Sequence, residues 1–238
     1  MVDCSACGLA YLRTVPDYAA QFAALAWERT TKLEEVRRQE TRPVSYRVSK
    51  ATRRRLHLLP RRRIEDQLAR HAAPGNVVDL GCGTGDHLTG LPAGYVPHGV
   101  EISTALAEQA QAKLLPIGGQ VANASSLDGL RQFADGFFTG AMLRSYLEHE
   151  SRPAEVLREL HRTLAPGGVA IVKVPNYASW NRHVMGARWC GFRWPDHMNH
   201  FTPRTLTALA ARTGYGIRFG LTGRLPTSDN MWAVLRKR

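Results

Sequence analysis

The stretch Val77-Val78-Asp79-Leu80-Gly81-Cys82-Gly83-Thr84-Gly85 decides the fold of this 238-residue chain. Its first four residues are mostly apolar and predict a short buried strand. The three glycines that follow predict a tight turn, because glycine adopts positive φ and lets the backbone approach a ligand closely. A turn of this kind at the carboxyl end of a parallel strand is the usual ligand site of an α/β sheet.

The rest of the chain alternates apolar segments with helical patterns, which is typical of a parallel α/β sheet. The predicted strands lie at residues 77–80, 95–100, 119–122, 138–143, 169–174, 216–222 and 231–236. The predicted helices lie near residues 84–90, 103–113, 126–134, 153–164 and 203–212. We therefore expect an α/β fold with a seven-stranded, mostly parallel sheet, helices on both faces and an antiparallel last strand.

An acidic residue follows the glycine turn at a spacing that suits a nucleoside site. Glu101 lies twenty residues after Gly81, at the end of the second predicted strand, where a carboxylate can accept both hydroxyls of a ribose. The turn reads G-x-G-x-G, and Asp86 occupies the sixth position, where its charge would repel a pyrophosphate. S-adenosylmethionine (SAM) carries an ammonium and a sulfonium, which Asp79 and Asp86 favour electrostatically. The chemistry favours SAM over a dinucleotide.

Two groups of motifs resemble a known family. Residues 77–85 resemble motif I of class I SAM-dependent methyltransferases, and residues 98–103 (HGVEIS) resemble the acidic end of their second strand. Residues 147–149 (LEH) and 155–168 (EVLRELHRTLAPGG) are similar to a subgroup that includes ubiquinone-biosynthesis and polysaccharide-associated methyltransferases. The resemblance covers about residues 60–238 and implies a Rossmann-like fold with SAM as the cofactor. It also implies methyl transfer to a small-molecule or glycan-precursor acceptor, which we take to be an oxygen.

The same resemblance implies a set of cofactor-binding residues. They are Asp79, Gly81, Cys82, Gly83, Gly85, Glu101, Ile102, Asn123, Ala124 and Arg144. Asn123 stands where the family usually has an aspartate that bonds the adenine amino group. Arg144 follows the fourth predicted strand and is also a candidate for orienting the acceptor.

Residues 175–202 are predicted to form a lid, because they are far longer than an ordinary connection and leave the sheet at the glycine-turn edge. The segment is rich in tryptophan and histidine, and such loops usually cover a substrate. Transfer to an oxygen benefits from a general base, for which His197 and His200 are the candidates. The alternatives are that the tryptophans form a small core and that each histidine only bonds the lid backbone.

Residues 1–75 are predicted to be an N-terminal appendage in front of a methyltransferase domain at 76–238. We expect helices at 17–40 and near 61–70 within it. Cys4 and Cys7 resemble the second half of a zinc ribbon. Structural zinc needs four ligands, so this single pair predicts no metal site and is interpreted as a remnant or as part of a longer chain. Zinc shared across a dimer is the alternative.

The charge of the chain leaves other function classes open. Its formal charge is +12, and residues 50–63 contain seven basic and no acidic side chains, which suits either a phosphate-rich partner or a solvated face. Aromatic residues are not interleaved with them, and residues 143–146 read Leu-Arg-Ser-Tyr instead of the tetrapeptide of base-amine methyltransferases. An RNA or protein methyltransferase is therefore the weaker alternative, and a non-catalytic SAM-binding scaffold is the third.

Composition and hydropathy indicate the cellular setting. No apolar run approaches the ~20 residues that span a bilayer, and the first ten residues lack the pattern of a secretory signal. Four cysteines in 238 residues do not indicate a disulfide framework. We expect a cytoplasmic protein with a small-molecule acceptor as its main partner, and the sequence leaves the oligomeric state open.

Overall fold

The computed structural model describes residues 1–14, 63–220 and 225–238, which belong to one compact unit. The predicted helix at 17–40 and the basic residues from Lys50 to Arg62 lie outside the described residues. Within the described ranges, no helix is both long and apolar enough to cross a membrane.

The strands and helices follow the predicted alternation. In chain order the strands are β1 (Val2–Asp3), β2 (Ala10–Tyr11), β3 (Gly75–Leu80), β4 (Tyr95–Glu101), β5 (Gln120–Asn123), β6 (Phe138–Arg144), β7 (Leu164–Pro175), β8 (Asn199–His200), β9 (Tyr215–Phe219) and β10 (Asn230–Lys237). The helices are α1 (Ile64–His71), α2 (Thr104–Leu114), α3 (Ser126–Arg131), α4 (Pro153–Thr163), α5 (Trp180–Met185) and α6 (Pro203–Arg212).

Seven of these strands form one sheet in the order β5-β4-β3-β6-β7-β10-β9. The pairs from β5 to β7 are parallel, whereas β10 is antiparallel to both β7 and β9. The predicted Rossmann-like fold is confirmed. Because the chain order runs outward in both directions from β3, the carboxyl end of β3 is the switch point where such sheets bind ligands.

Four of the six described helices begin at a side-chain cap, and one predicted helix does not form. The side chain of Ser103 accepts a bond from the Leu106 amide at the start of α2, and Thr202 forms a reciprocal capping box with Thr205 at the start of α6. The helix predicted near residues 84–90 is wrong, because residues 83–90 form turns and a bend. Positive φ at three glycines and the Gly90 and Pro92 that follow leave too short a run for a helix.

Two apolar cores cover the two faces of the sheet. On one face, Ile64 and Leu68 of α1 pack with Val77 and Met142. On the other, α4 and α6 pack against the alternate strand residues, such as Val78 and Leu143. The predicted helical layer on both faces is confirmed. Because successive side chains of a strand point to opposite faces, residues that lie side by side on neighbouring strands point to the same face of the sheet.

A second, smaller sheet joins the N-terminus to the predicted lid. It has the order β1-β2-β8, and Ala10 of β2 lies opposite His200 of β8. Cys4 and Cys7 lie in the turn between β1 and β2, and both are free thiols. The N-terminal hairpin is therefore attached to the end of the lid.

Candidate functional site

The glycine turn after β3 has the backbone conformation that its sequence predicts. Gly81, Gly83 and Gly85 all adopt positive φ, which other residues reach only with strain. The Gly81 and Cys82 amides donate to the Val100 carbonyl at 2.8 and 3.2 Å, which fixes the turn against β4. A Cβ at Gly83 would meet no atom within 4 Å, so the turn has open space on its outer side.

Glu101 connects this turn to the end of β4. Its side chain is buried, and its two carboxylate oxygens accept bonds from the Gly83 and Ser103 amides, each at 2.9 Å. A carboxylate oxygen can accept more than one bond, so these contacts orient the group and leave acceptor capacity for ligand hydroxyls. The glycine turn and Glu101 therefore lie at one site, and the binding of ribose hydroxyls by Glu101 stays a prediction.

Asp79 and Cys82 lie beneath the turn. Burial raises the pKa of Asp79 well above its usual range, the Arg144 cation opposes this shift, and the Glu65 and Glu101 charges reinforce it. A cationic ligand group beside Asp79 would restore its ionised form. Burial likewise raises the pKa of the Cys82 thiol, so this side chain acts as a small apolar group and not as a nucleophile.

Residues after β4 and β5 form the rim of the same site. Ile102 is half exposed, as an apolar surface for a flat ring would be. The Asn123 amide nitrogen donates to the carbonyls of Glu101 and Ile102, and its oxygen accepts from Thr104 at 3.0 Å. The Ala124 amide donates to the Glu101 carbonyl at 3.2 Å. Asn123 and Ala124 therefore shape the rim with their polar groups already bonded within it.

Arg144, at the end of β6, is held by two residues that the sequence did not identify. Its guanidinium donates to Nε2 of His87 at 2.6 Å, and Nδ1 of His87 bonds the buried carboxylate of Glu65 at 2.9 Å. Because a guanidinium can only donate, Nε2 of His87 accepts in this arrangement and Nδ1 is the atom that bonds Glu65. Glu65 and His87 come from α1 and from the turns after β3, and no motif connects them.

Lys173 lies beside Arg144 in the parallel register of β6 and β7. Its ammonium also lies over the Trp232 ring of β10, 5.6 Å from the centroid. Burial lowers the pKa of Lys173, and the Arg144 cation lowers it further, whereas Glu148 opposes the shift. In the described part of the chain, no carboxylate lies within salt-bridge distance of Arg144 or Lys173.

The predicted lid contains one tryptophan that is buried and two that are exposed. Trp189 is buried, and its indole N–H donates to Asp229 at 2.8 Å, so it anchors the segment to the β9–β10 connection. Trp180, on α5, and Trp194 are 61% and 51% exposed, which leaves two large rings available for ligand contact. Trp189 therefore packs within the protein, whereas substrate contact by Trp180 and Trp194 stays a prediction.

The two candidate bases occupy different environments. His197 is buried, and its Nδ1 bonds the Gly191 carbonyl at 2.9 Å. Burial and then the His149 charge lower its pKa to about 3. His200 is buried against Tyr177, Phe192 and Trp194, and its Nε2 has no hydrogen-bond partner among the described atoms. Burial and the Arg182 cation lower its pKa to about 4.

A cluster that the sequence analysis missed lies where the lid meets the loop after β6. Glu148, His149 and His197 each offer a ligand atom, and these atoms lie within 4.8 Å of one another. Glu148 is 1% exposed, and burial raises its pKa. His149 bonds the Asp196 carboxylate at 3.0 Å through Nδ1. Forty-eight residues separate His149 from His197, so spacing gave no signal for the group.

The residues at the switch point fit SAM. The turn has open space at Gly83, the Glu101 carboxylate is oriented by backbone amides, and the buried Asp79 favours a cation. Those features suit an adenosine with an ammonium and a sulfonium better than they suit a pyrophosphate. Fold and site together define a class I SAM-binding α/β domain.

Comparison with known proteins gives the family. The model of the methyltransferase domain family matches residues 52–218, more than half of the chain, and the chain belongs to this family. Trans-aconitate 2-methyltransferase of Methylobacterium nodulans is 33% identical over 145 residues, which are 60% of this chain and 52% of that protein. The chain therefore aligns with about half the length of this curated relative.

Solved structures share the fold at low sequence identity. A SAM-dependent methyltransferase from Archaeoglobus fulgidus is 18% identical with a TM-score of 0.56, covering 74% of this chain and 93% of that chain. A Haloferax volcanii methyltransferase, solved in complex with the Trm112 methyltransferase activator, is 18% identical with a TM-score of 0.59. That match covers 73% of this chain and 87% of the other. The cofactor of this family is SAM.

Proposed function

We propose that the chain transfers the methyl group of SAM to an oxygen of a small anionic acceptor, such as a carboxylic acid or a phosphorylated glycan precursor. The observation that carries the acceptor class is the adjacent pair Arg144 and Lys173. Two like charges side by side destabilise the folded chain unless an anion offsets them. The name of the trans-aconitate 2-methyltransferase relative supports an acidic acceptor independently.

In this proposal, different strand ends bind SAM and the acceptor. Glu101 holds the ribose hydroxyls, Ile102 contacts the adenine, and the glycine turn accommodates the methionine part, while Asn123 and Ala124 shape the rim. SAM supplies an electrophilic methyl group when bound. Arg144 and Lys173 orient the acceptor oxygen toward that methyl group, so the main contribution to the rate is proximity and alignment.

Of the two predicted bases, we propose His200 for the acceptor proton. Its unpartnered Nε2 can accept a proton from a hydroxyl, whereas Nδ1 of His197 is bonded to a carbonyl and its ring packs edgewise on His149. An imidazole with a pKa of about 4 is a weak base that stays unprotonated at neutral pH. A carboxylate acceptor would need no base, so the benefit from His200 is specific to a hydroxyl acceptor.

The acceptor class is tested by turnover of SAM to S-adenosylhomocysteine with matched compounds. Polycarboxylic acids, beginning with trans-aconitate, and nucleotide-linked sugars are each compared with an uncharged analogue. Losing one hydrogen bond to a charged group costs ~1.5–3 kcal/mol, so we expect the charged member to have a kcat/KM about tenfold higher or more. Preference for the uncharged members would contradict the proposed acceptor class.

A matched pair of lysine variants tests whether Lys173 binds the anionic acceptor. Lys173→Met should raise the acceptor KM about tenfold or more and leave SAM affinity unchanged, because Lys173 contributes only to the acceptor side. Lys237→Met is the control, since Lys237 bonds the Leu164 carbonyl at the opposite end of β7. Equal effects of the two substitutions would argue against an anion site at Lys173.

The other function classes give different outcomes in the same assay. An RNA or protein methyltransferase would turn over SAM only with the macromolecule, and the basic segment that favours it lies largely outside the described residues. A non-catalytic SAM-binding scaffold would bind SAM and produce no S-adenosylhomocysteine with either acceptor set. A structural relative described as a [4+2]-cyclase, with a TM-score of 0.53, illustrates that this fold does not by itself fix the reaction.

A further inference from the structure

We propose that Glu148, His149 and His197 form a divalent transition-metal site, with zinc as the preferred ion, which links the lid to the loop after β6. The cluster brings one carboxylate and two imidazoles together, and their ligand atoms lie within 4.8 Å of one another. Two imidazoles favour zinc over magnesium or calcium, which prefer oxygen ligands. Three protein ligands leave a fourth position for water or another oxygen.

The buried carboxylate gives a second, independent reason. Glu148 is 1% exposed, and its Oε2 has no hydrogen-bond partner within the described ranges. An unpaired carboxylate oxygen in the interior is costly, and a bound cation removes that cost. The His149 ring and the Lys173 ammonium act on Glu148 only through space and leave this oxygen unpartnered.

The surroundings of the two histidines match those of metal ligands. Metal-bound imidazoles usually donate their other ring N–H to a carboxylate or a carbonyl, which fixes the ring orientation. Here Nδ1 of His149 bonds the carboxylate and the carbonyl of Asp196, each at 3.0 Å, and Nδ1 of His197 bonds the Gly191 carbonyl at 2.9 Å. Nε2 is therefore the metal-binding atom of each ring.

The backbone around the cluster holds the two segments together before any ion binds. The Glu148 carbonyl accepts from the Met198 and Asn199 amides at 2.7 and 3.0 Å, and the Asn199 side chain donates to the Leu147 carbonyl at 3.0 Å. A tetrahedral zinc at ~2.0–2.1 Å from each ligand spaces its ligands by ~3.4 Å. Side-chain rotation on this fixed backbone closes the remaining distance.

The test measures metal content without SAM or acceptor, so its outcome is independent of the proposed function. The parent protein is the full chain with Cys4→Ser and Cys7→Ser, which removes the thiols as a competing site. After treatment with EDTA, addition of zinc and gel filtration, we expect about one zinc per chain by elemental analysis. Glu148→Gln and His197→Gln should lose it, whereas His183→Gln, an exposed histidine of the same lid, should retain it.

Two further measurements keep the test decisive if a cluster variant misfolds, which circular dichroism would show. Cobalt bound to the parent should give the strong visible absorption of a four-coordinate ion. Asp196→Asn, which alters the partner of His149 and also the ion pair of Asp196 with Arg193, should weaken zinc affinity about 10–100-fold, as substitutions of residues that bond a metal ligand typically do. No retained zinc in the parent, or equal retention in folded Glu148→Gln and His197→Gln, would overturn the proposal.

Discussion

Two parts of the carboxyl edge of the main sheet are built in different ways: the cofactor edge, formed by the ends of β3 and β4, and the lid edge, where the lid leaves β7 and meets the loop after β6. At the cofactor edge, the main residues come from two adjacent strands and lie within 25 residues of one another, from Val77 to Glu101. At the lid edge, the β6 loop, the lid and the β9–β10 connection converge from distant parts of the chain. The first edge is specified by a short motif, and the second only by the complete fold.

The difference also extends to how polar groups are satisfied. At the cofactor edge, Glu101 and Asn123 bond the backbone around them, so the turn is preorganised for its ligand. At the lid edge, Glu148 Oε2 and His200 Nε2 are buried without partners among the described residues. An unsatisfied buried group is costly and needs an explanation, which at the lid edge we propose to be an ion and a proton transfer. The lid edge is therefore where we expect ion binding at Glu148 and proton transfer at His200.

The largest expected effect is that of His200→Phe, which keeps the aromatic packing and removes the ring nitrogen. If His200 is the base for a hydroxyl acceptor, kcat should fall about 10²–10⁴-fold while SAM affinity stays nearly unchanged. Because the base must be unprotonated and its pKa is about 4, wild-type kcat should be flat at neutral pH and fall only below about pH 5. Steady-state kinetics against pH measure both.

The control for that variant is His98→Phe, because His98 is also buried with a pKa of about 4 but packs among Phe133, Phe137 and Phe138 in the core. Its activity should match that of the wild type. A His200→Phe enzyme within a few-fold of wild-type kcat would exclude the base, and catalysis would then depend on alignment alone.

The next effect is at the cofactor edge. Glu101→Ala should weaken SAM binding by ~1.5–3 kcal/mol, the usual range for losing a hydrogen bond to a charged group. The loss also releases the Gly83 and Ser103 amides, so Glu101→Gln, which keeps acceptor capacity, should lose less. Calorimetry with SAM measures both, and the exposed Glu108→Ala on α2 is the matched control. Wild-type affinity in Glu101→Ala would remove the central residue of the cofactor assignment.

The sequence predicted the features that depend on local patterns. All seven strands of the main sheet and the starts of α2, α4 and α6 agree with periodicity and capping residues such as Ser103 and Thr202. The helix expected near residues 84–90 failed, because glycine conformations required by the turn override the helical pattern. The assignment of individual cofactor residues stays a prediction.

Features that depend on tertiary contacts could not be predicted. Glu65 and His87 support Arg144 only because α1 packs against the sheet beside the turn. The pairing of His149 with Asp196 requires the lid to fold back on the β6 loop. Likewise, an imidazole ordinarily has a pKa of ~6.5, whereas burial in the folded chain lowers the pKa of His200 to about 4.

A third effect concerns the pH dependence of stability. Since the pKa of His98 is about 4 in the folded state and about 6.5 unfolded, the unfolded chain binds the proton first. This group's contribution is therefore fully present above pH 6.5 and is lost as the pH falls toward 4, by about 2 kcal/mol at pH 5. Urea unfolding at pH 7 and pH 5 should show a smaller difference for His98→Phe than for the wild type. Equal differences would mean that His98 is not buried in its neutral form.

The smallest effects compare the helix caps at the two edges. Ser103 begins α2 beside Glu101 with one side-chain bond of 3.5 Å, whereas Thr202 begins α6 at the end of the lid with a reciprocal pair to Thr205, at 3.1 and 2.9 Å. Removing a cap costs about 1 kcal/mol, in a range of ~0.5–2. Thr202→Ala removes the 3.1 Å bond from the Thr205 amide and the 3.2 Å bond between the two hydroxyls, so its cost should lie toward the upper end of that range. In chemical denaturation, Thr202→Ala should therefore lower the free energy of unfolding more than Ser103→Ala, and Thr202→Ser should restore most of the loss. The opposite order would mean that the start of α6 is held mainly by the packing of the lid and that the cofactor edge depends more on its cap.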